Sequence, residues 1–249
     1  MDRNSYILVK NYFTKEEGNM ITKWADQMNT MKESKGDWMI YYEQNADNKK
    51  EKSRIENFSK FNPHIENFVN VRIKTFMEET IGKKLAFFKD KMNWKRPGGK
   101  GFLAHQDHPA WDDFPPSIYY SAAFFGDNCT IGNGCLQFVD NFSIKKIIDY
   151  DKEGTGKLID EDKFEWKHVE TTPRDLVIFN SFIPHRSESN MTENSRRIFY
   201  FTFNDKEEGD FFKAYLKEKR DKFPPPNERI EGKEYKTEGQ KYNLANPIV

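Results

Sequence analysis

The sequence predicts a mainly-β fold flanked by helices, with a sandwich, a jelly roll or a barrel at its centre. Six short segments between residues 85 and 204 are rich in aromatic and β-branched residues, and clusters of Gly, Pro, Asn and Asp separate them. No helical pattern lies between these segments, whereas a parallel sheet would need crossover helices there. The predicted strands are residues 85–95, 118–125, 134–139, 164–170, 175–180 and 197–204.

Two amphipathic helices are predicted before the strands. The stretch Thr14-Lys-Glu-Glu17 has the capping-box pattern, and apolar residues at helical spacing extend this helix over residues 14–33. A second helix begins at Asn62-Pro63, a good cap followed by proline in the first turn, and it ends at Gly82. The polar residues 34–60 between the two helices predict a loop.

A third helix is predicted over residues 206–222, followed by three prolines and a polar tail. The sequence has no internal repeat, and 249 residues suit one domain. We therefore predict a single domain over residues 1–249. It has a helical N-terminal part (1–84), a β core (about 85–205) and a C-terminal helix and tail (206–249).

Composition argues against several classes of function. The 40 Lys and Arg residues balance 40 Asp and Glu residues, so no net positive charge favours nucleic acid. No segment approaches the roughly 20 apolar residues of a membrane-spanning helix, and the first residues lack a secretory leader pattern. Cys129 and Cys135 fit free thiols in a reducing cytosol better than a disulfide. We expect a cytoplasmic protein, a monomer or homodimer, that binds a small molecule and neither nucleic acid nor membrane.

Three His-X-acid motifs occur, and two of them have contexts that argue against a metal site. On a strand, residues i and i+2 point to the same face and can present two ligands together. His64-Ile-Glu66 lies in the first turn of a predicted helix, where these positions do not share a face. His168-Val-Glu170 lies on a predicted strand but runs directly into Thr-Thr-Pro, and no second His with fitting surroundings accompanies it.

The third motif, His105-Gln-Asp107, has a context that favours a metal site. It follows the glycine-rich residues 96–102, which let the backbone approach a ligand closely. His185 comes directly after a predicted apolar strand. Two imidazoles and one carboxylate on one face suit iron(II) and leave three coordination positions open. The residues therefore predict an iron site on His105, Asp107 and His185.

An arginine after the second histidine suggests a dicarboxylate partner. Arg196 lies eleven residues beyond His185, and its guanidinium could bind the distal end of a dicarboxylate through two parallel hydrogen bonds. Arg197 is the rival, because adjacent strand residues face opposite ways.

Four segments resemble the phytanoyl-CoA dioxygenase family of iron(II)- and 2-oxoglutarate-dependent oxygenases. They are residues 89–102, His105-Gln-Asp-His-Pro-Ala-Trp111, Asn133-Gly-Cys-Leu136, and Pro184-His-Arg-Ser187 together with Ser195-Arg-Arg197. The resemblance implies a double-stranded β-helix core, a jelly roll of the cupin-like kind. It also implies iron(II) as cofactor, 2-oxoglutarate and O2 as co-substrates, and hydroxylation of a substrate with succinate and CO2 as co-products. In motif the chain looks most like the branch that includes 2-aminoethylphosphonate dioxygenases.

The resemblance also assigns roles to single residues. It implies that His105, Asp107 and His185 bind iron, and that Arg196 binds the distal carboxylate of 2-oxoglutarate with help from Ser187. Asn93 and Gln106 are placed near the co-substrate. Trp111 and Lys95 are candidates for contact with a small polar or anionic substrate.

Other functions stay open at this level. A jelly-roll binding protein without turnover would be expected to lose a ligand or the arginine, and all are present. A metal-dependent isomerase or hydrolase of the cupin type would be expected to have a richer histidine set than five scattered residues. Within the family, acyl-CoA hydroxylation is an alternative, whereas related halogenases lack the carboxylate that Asp107 provides. The turn after Asn133-Gly-Cys differs from the family pattern, which leaves the substrate open.

Overall fold

Two antiparallel sheets form the centre of the computed structural model, which describes residues 6–45, 48–140, 142–143, 145–152, 154–235, 240–243, 245 and 248. The major sheet has seven strands in the order β1-β9-β6-β11-β4-β3-β2, and the minor sheet has four in the order β5-β10-β7-β8. This arrangement confirms the predicted mainly-β jelly roll with flanking helices. The strands are β1 (Tyr6–Val9), β2 (Met39–Gln44), β3 (Lys50–Glu56), β4 (Leu85–Lys95), β5 (Phe102–His105), β6 (Tyr119–Phe125), β7 (Leu136–Val139), β8 (Trp166–Val169), β9 (Leu176–Asn180), β10 (His185–Ser187) and β11 (Arg196–Asp205).

Helices cover the outer face of the major sheet, as predicted. Helix α1 (Lys15–Thr30) begins with the predicted capping box, in which Thr14 and Glu17 satisfy each other's backbone N–H groups. Helices α2 (Pro63–Phe68) and α3 (Lys74–Ile81) are joined by one π-helical turn and end at Gly82, whose φ of 77° suits glycine. Their apolar stripes pack with the aromatic side chains of the sheet, so they form one core with it.

The predicted loop at residues 34–60 is wrong. Within it, β2 and β3 form a hairpin, and β3 pairs with β4 and so extends the major sheet. The error has a physical reason. Ser53, Arg54 and Glu56 of β3 are buried, but they are polar and carry none of the apolar alternation that identifies a strand.

Two short strands that the sequence analysis missed, β5 and β10, carry the predicted histidine ligands. With four and three residues they are too short to show alternation. They are neighbours in the minor sheet, where His185 lies directly opposite His105.

The two faces of the long strand β4 differ in chemistry, one polar and one apolar. The side chains of Lys89, Lys91, Asn93 and Lys95 lie at alternating positions and face the space between the sheets, whereas Met92 and Trp94 belong to the core beneath the helices. One strand therefore brings three lysines to the interior, of which Lys89 and Lys95 are buried and Lys91 is partly buried.

The C-terminal helix closes one end of this interior. Helix α4 (Phe212–Lys222) begins later than predicted, because residues 206–208 form a separate turn capped by Asp205. Its buried side is Tyr215 and Lys219, and Tyr215 packs on Phe88 of β4. In the described ranges no helix has the length and apolar character required to cross a bilayer, and Cys129 and Cys135 are buried free thiols, as predicted.

Candidate metal centre and substrate cleft

The side chains of His105, Asp107 and His185 converge on one point. Their ligand atoms all lie within 4.8 Å of one another, and all three residues are buried. The Nε2 atom of His105 is 4.0 Å from Oδ1 of Asp107, and that of His185 is 3.9 Å from Oδ2. Strand pairing accounts for the two histidines, and Asp107 joins them because it is two residues beyond the end of β5.

Backbone hydrogen bonds and burial prepare these groups to bind a metal. Nδ1–H of His105 donates to the carbonyl of Leu103 at 2.7 Å, and that of His185 donates to Ile183 at 3.1 Å, which leaves each Nε2 free as a ligand. Burial and the neighbouring His185 lower the pKa of His105 to about 3, and burial lowers the pKa of His185. Burial alone would raise the pKa of Asp107, but Lys91 and His185 hold it well below its usual range. Two neutral imidazoles and an ionised carboxylate suit iron(II).

Arg196 presents a buried guanidinium to the interior. Its side chain is only 1% exposed, and its Nε and Nη1 atoms have no hydrogen-bond partner within the described part of the chain. An unpaired buried charge is costly, so this guanidinium is suited to receive an anion. Arg197 points the other way and binds Asp127 through two hydrogen bonds, at 2.8 and 2.6 Å.

Ser187 and Lys95 lie beside Arg196. Lys95 is opposite Arg196 in the pairing of β4 with β11, and its Nζ donates to the hydroxyl of Ser187 at 2.8 Å. Because Ser187 accepts this bond, its own hydroxyl hydrogen is free to donate to an anion. Burial and the neighbouring Arg196 hold the pKa of Lys95 well below its usual range.

A cationic cleft lies next to the three converging side chains. We define it by Arg54 and Glu56 of β3, Lys89 and Lys91 of β4, and Lys219 of α4. The single carboxylate of Glu56 lies 3.3 Å from Arg54, 3.5 Å from Lys89 and 3.5 Å from Lys219. Nζ of Lys91 is 3.8 Å from Asp107, so the cleft and the metal-binding groups are continuous.

The charges in this cleft do not balance. Burial would raise the pKa of Glu56, but Lys219, Lys89 and Arg54 hold it below its usual range, so the carboxylate is ionised. Burial lowers the pKa of Lys89 and of Lys219, and it lowers that of Lys91 to about 8. One carboxylate thus serves three basic side chains, and the cleft favours a further anion.

Sequence comparison identifies the family. The family model for phytanoyl-CoA dioxygenase (PhyH) matches residues 1–198. The chain is 36% identical over 247 residues to the 2-aminoethylphosphonate dioxygenase of uncultured bacterium HF130_AEPn_1, which covers 98% of this chain and 94% of the relative. The chain belongs to the phytanoyl-CoA dioxygenase family. It is also 29% identical to the methylphosphonate hydroxylase of Gimesia maris over 223 residues, 89% of this chain and 85% of the relative.

Solved structures share the fold. The non-heme alpha ketoglutarate dependent epimerase SnoN from nogalamycin biosynthesis superposes with a TM-score of 0.67 at 17% identity, over 82% of this chain and 79% of that one. EctD from S. alaskensis, with 2-oxoglutarate and 5-hydroxyectoine, gives a TM-score of 0.67 at 15% identity, over 83% and 74%. The predicted double-stranded β-helix core is confirmed.

This family member is a 2-oxoglutarate-dependent dioxygenase that uses iron(II), 2-oxoglutarate and O2. The alternative of a jelly-roll binding protein without turnover is therefore wrong. The buried donor set of His105, Asp107 and His185 fits iron(II), and the buried Arg196 fits the distal carboxylate of 2-oxoglutarate.

Two predicted contact residues have different surroundings from those expected. Gln106 uses its amide to hold the backbone: Nε2 donates to the carbonyls of Lys146 and Phe182, and Oε1 accepts from Ile148. These bonds support the loop that carries Asp107, and Gln106 also lines the cationic cleft, so its role near the co-substrate stays a prediction. Lys95 lies beside Arg196 and Ser187 and is not among the residues that line the cationic cleft, and its expected substrate contact stays a prediction.

Two other predicted residues do lie at the cleft. Asn93 accepts a hydrogen bond from Arg54 at 3.2 Å, which places it between the cationic cleft and Lys95. Trp111 lines the cleft and also packs in the core against Phe88 and Tyr119. Its indole therefore serves as both pocket wall and core.

Sequence reasoning missed Arg54, Glu56 and Lys219. Arg54 and Glu56 occur in the hairpin that was interpreted as a loop. The burial of Lys219 could have been predicted from the sequence, because this residue lies on the same helix face as Tyr215 and Phe223, four residues from each. A lysine inside an aromatic stripe indicates either an exposed edge or a buried functional charge.

Replacing Gly134 by alanine is expected to weaken 2-oxoglutarate binding strongly. Gly134 has a φ of 72°, and an added Cβ would collide with the carbonyl oxygen of Glu188 and lie 2.9 Å from Nζ of Lys95. The collision would displace the segment that carries Ser187. Anaerobic titration with 2-oxoglutarate measures the effect. Gly132→Ala is the matched control, since its Cβ would lie at ordinary contact distances, 3.4 Å from Thr192 and 3.9 Å from Thr130, and equal losses in both variants would contradict this reasoning.

Folding stability is expected to rise with pH above neutrality, in part through Lys219. The folded state lowers the pKa of Lys219 below its ordinary value of 10.5, so between these values the unfolded chain binds more protons and raising the pH favours folding. Glu56, Lys89, Arg54 and Tyr215 surround this group. Urea unfolding of the metal-free protein at about pH 8 and pH 10, just below the ordinary pKa of lysine, should show a smaller rise for Lys219→Met than for wild type or Lys217→Met. An equal rise in all three would be the contrary result.

Proposed function

We propose that this dioxygenase hydroxylates a small organophosphonate. The observation that carries the proposal is the cationic cleft beside the iron-binding side chains, in which three basic groups share the one carboxylate of Glu56. A phosphonate bears up to two negative charges and three acceptor oxygens on one atom. It therefore matches several converging donors better than a single carboxylate does. The names of two relatives, at 36% and 29% identity, support the same class.

We assign the following roles within this proposal. His105, Asp107 and His185 hold iron(II), with the histidine rings oriented by their bonds to Leu103 and Ile183. Arg196 and the free hydroxyl hydrogen of Ser187 bind the distal carboxylate of 2-oxoglutarate. Iron(II), 2-oxoglutarate and oxygen together supply the oxidation of a carbon–hydrogen bond to a hydroxyl group, with succinate and CO2 as co-products.

The cleft residues position the substrate and exclude water. Arg54, Lys89 and Lys91 bind the phosphonate next to the iron-binding groups, so the carbon attached to phosphorus lies nearest to the oxidising centre. Trp111 forms an apolar wall of the cleft. Because Asp107 occupies a ligand position that related halogenases leave for chloride, the expected product is a hydroxylated one even in high chloride.

Acyl-CoA hydroxylation, the alternative within the family, has less support. The described residues include an open groove of about 720 Å³, but it is lined by residues such as Leu103, Arg186 and Met191 and by none of the three iron-binding candidates. The cleft that does contain His105 and Asp107 is small and strongly charged. A long acyl chain finds no apolar chamber there.

The experiment is a substrate panel with the iron-loaded enzyme. Methyl-, ethyl- and propylphosphonate, 2-aminoethylphosphonate, the matching carboxylates and two acyl-CoA thioesters are compared by succinate formed per hydroxylated product. Coupled turnover is expected with phosphonates, and Lys89→Met should raise the KM for them by at least about tenfold, whereas the exposed Lys213→Met should not. Coupled turnover with acyl-CoA alone, or with carboxylates in preference to phosphonates, would overturn the proposal.

We further infer that residues 1–249 act as one domain, because α1 to α3 and α4 all pack on the sheets. A cytoplasmic location and a monomeric or homodimeric state stay predictions, which fractionation and light scattering would test.

A further inference from the structure

The ammonium group of Lys219 lies in a cage of aromatic rings. Its Nζ is 5.0 Å from the ring centre of Tyr41, 4.9 Å from that of Phe223 and 4.7 Å from that of Tyr242. The carboxylate of Glu56 is 3.5 Å away, and the side chain is 1% exposed. Aromatic rings around a cation with a carboxylate nearby form the type of site that recognises ammonium ligands.

We propose that Lys219 fills, with its own ammonium group, an ammonium-binding site at the far end of the substrate cleft, and thereby selects phosphonates whose carbon chain carries no ammonium. The inference rests on the proposed function, which it narrows. Lys219 also lines the cleft together with Lys89 and Trp111, so a substrate that extends from the iron-binding groups towards α4 meets a fixed positive charge.

The carboxylates at this end of the cleft already bind cations of the chain. Glu56 contacts Arg54 and Lys89 as well as Lys219 and accepts a hydrogen bond from Tyr215 at 2.9 Å. A substrate ammonium would therefore have to displace a lysine from Glu56 and lie beside its like charge.

Two further carboxylates near this end of the cleft, those of Glu218 and Asp113, also have lysine partners. Glu218 accepts hydrogen bonds from Lys241 at 2.6 Å, Tyr242 at 2.8 Å and Lys222 at 3.1 Å. Asp113 is paired with Lys241 and lies 3.6 Å from Lys222. Within the described residues, each carboxylate at this end therefore has a lysine partner.

The cage is built mainly by the C-terminal part of the chain. Lys219, Phe223 and Tyr242 all lie beyond residues 1–198, the part that matches the family model. The shared β core supplies the iron and 2-oxoglutarate residues, and the C-terminal helix and tail supply the charge at the end of the cleft. In this inference the C-terminal part sets the specificity and the β core sets the oxidation chemistry.

Propylphosphonate and 2-aminoethylphosphonate test the inference, because they differ only in a methyl group in place of an ammonium. Their dissociation constants are measured anaerobically by calorimetry on the enzyme loaded with iron(II) and 2-oxoglutarate, and kcat/KM is measured in air. Wild type is expected to prefer propylphosphonate by at least about tenfold, since like charges placed side by side are strongly unfavourable. Lys219→Ala, which empties the cage, should reduce or reverse that ratio by a similar factor. The exposed Lys217→Ala on the same helix should leave it unchanged.

Two further measurements keep the result interpretable. Lys219→Met fills the cage without charge, so it should lower the discrimination even if the alanine variant folds poorly. Ethylammonium, which matches the end of the lost side chain, should restore the preference in Lys219→Ala. A wild-type enzyme that prefers 2-aminoethylphosphonate, or a ratio that neither Lys219 variant changes, would overturn this inference and leave the proposed function intact. Failure of every phosphonate to bind or turn over would instead remove the proposed function, and the inference with it.

Discussion

His185→Ala is expected to abolish the visible absorption that iron(II) and 2-oxoglutarate give together under anaerobic conditions, and with it all turnover. The reason is geometric. His185 supplies one of the three ligand atoms that lie within 4.8 Å of one another, and its Nδ1–H bond to Ile183 fixes the ring so that Nε2 faces Asp107. A two-ligand site binds iron(II) weakly and does not orient 2-oxoglutarate. The measurement is an anaerobic titration of the purified variant, followed by assay of succinate.

The other His-X-acid motifs provide matched controls for this variant. His64 and His168 lie on exposed positions of a helix and of β8, so His64→Ala and His168→Ala should keep the absorption band and the activity. Circular dichroism should show that His185→Ala retains the fold, because its ring lies beside Phe138 and Phe179 at the edge of a core that stays intact. Retention of the band in His185→Ala, or its loss in His168→Ala, would place the iron elsewhere.

The parts of the fold that the sequence predicted are those in which burial is apolar. Helix α1 and strand β4 have patterned hydrophobic residues and clear end signals, and they lie within a few residues of their predicted bounds. The β2–β3 hairpin was missed because its inner side chains, Arg54 and Glu56, are polar where a core strand would be apolar. Polar residues at the site occupy positions where the recognition of a strand relies on apolar side chains.

The site also has a part that the sequence predicted and a part that it did not. The iron-binding candidates could be found because His-X-Asp has a short fixed spacing and a strand context. The residues of the cationic cleft come from β3, β4 and α4, which are distant in the chain and meet only in the folded structure.

Arg196→Ala is expected to raise the dissociation constant for 2-oxoglutarate at least about thirtyfold, which corresponds to the lower end of the roughly 2–5 kcal/mol lost when one partner of a buried charge pair is removed. Arg196 is buried on the inner face of β11, and its Nε and Nη1 atoms have no partner among the described residues. The distal carboxylate of 2-oxoglutarate would bind the guanidinium through a planar fork and so give one of these two atoms an acceptor. Arg196→Lys should recover only part of the affinity, because an ammonium cannot form the two parallel bonds.

Arg197→Ala is the matched control on the next residue. Its guanidinium binds Asp127 and Asp26 on the outer side of the sheet, so its loss should lower thermal stability and leave 2-oxoglutarate binding within about twofold of wild type. Isothermal titration of the anaerobic, iron-loaded variants separates the two effects, and thermal unfolding reports stability independently. A larger loss of 2-oxoglutarate affinity in Arg197→Ala than in Arg196→Ala would mean that the two side chains face opposite to the directions described, and the carboxylate-binding role would then belong to Arg197.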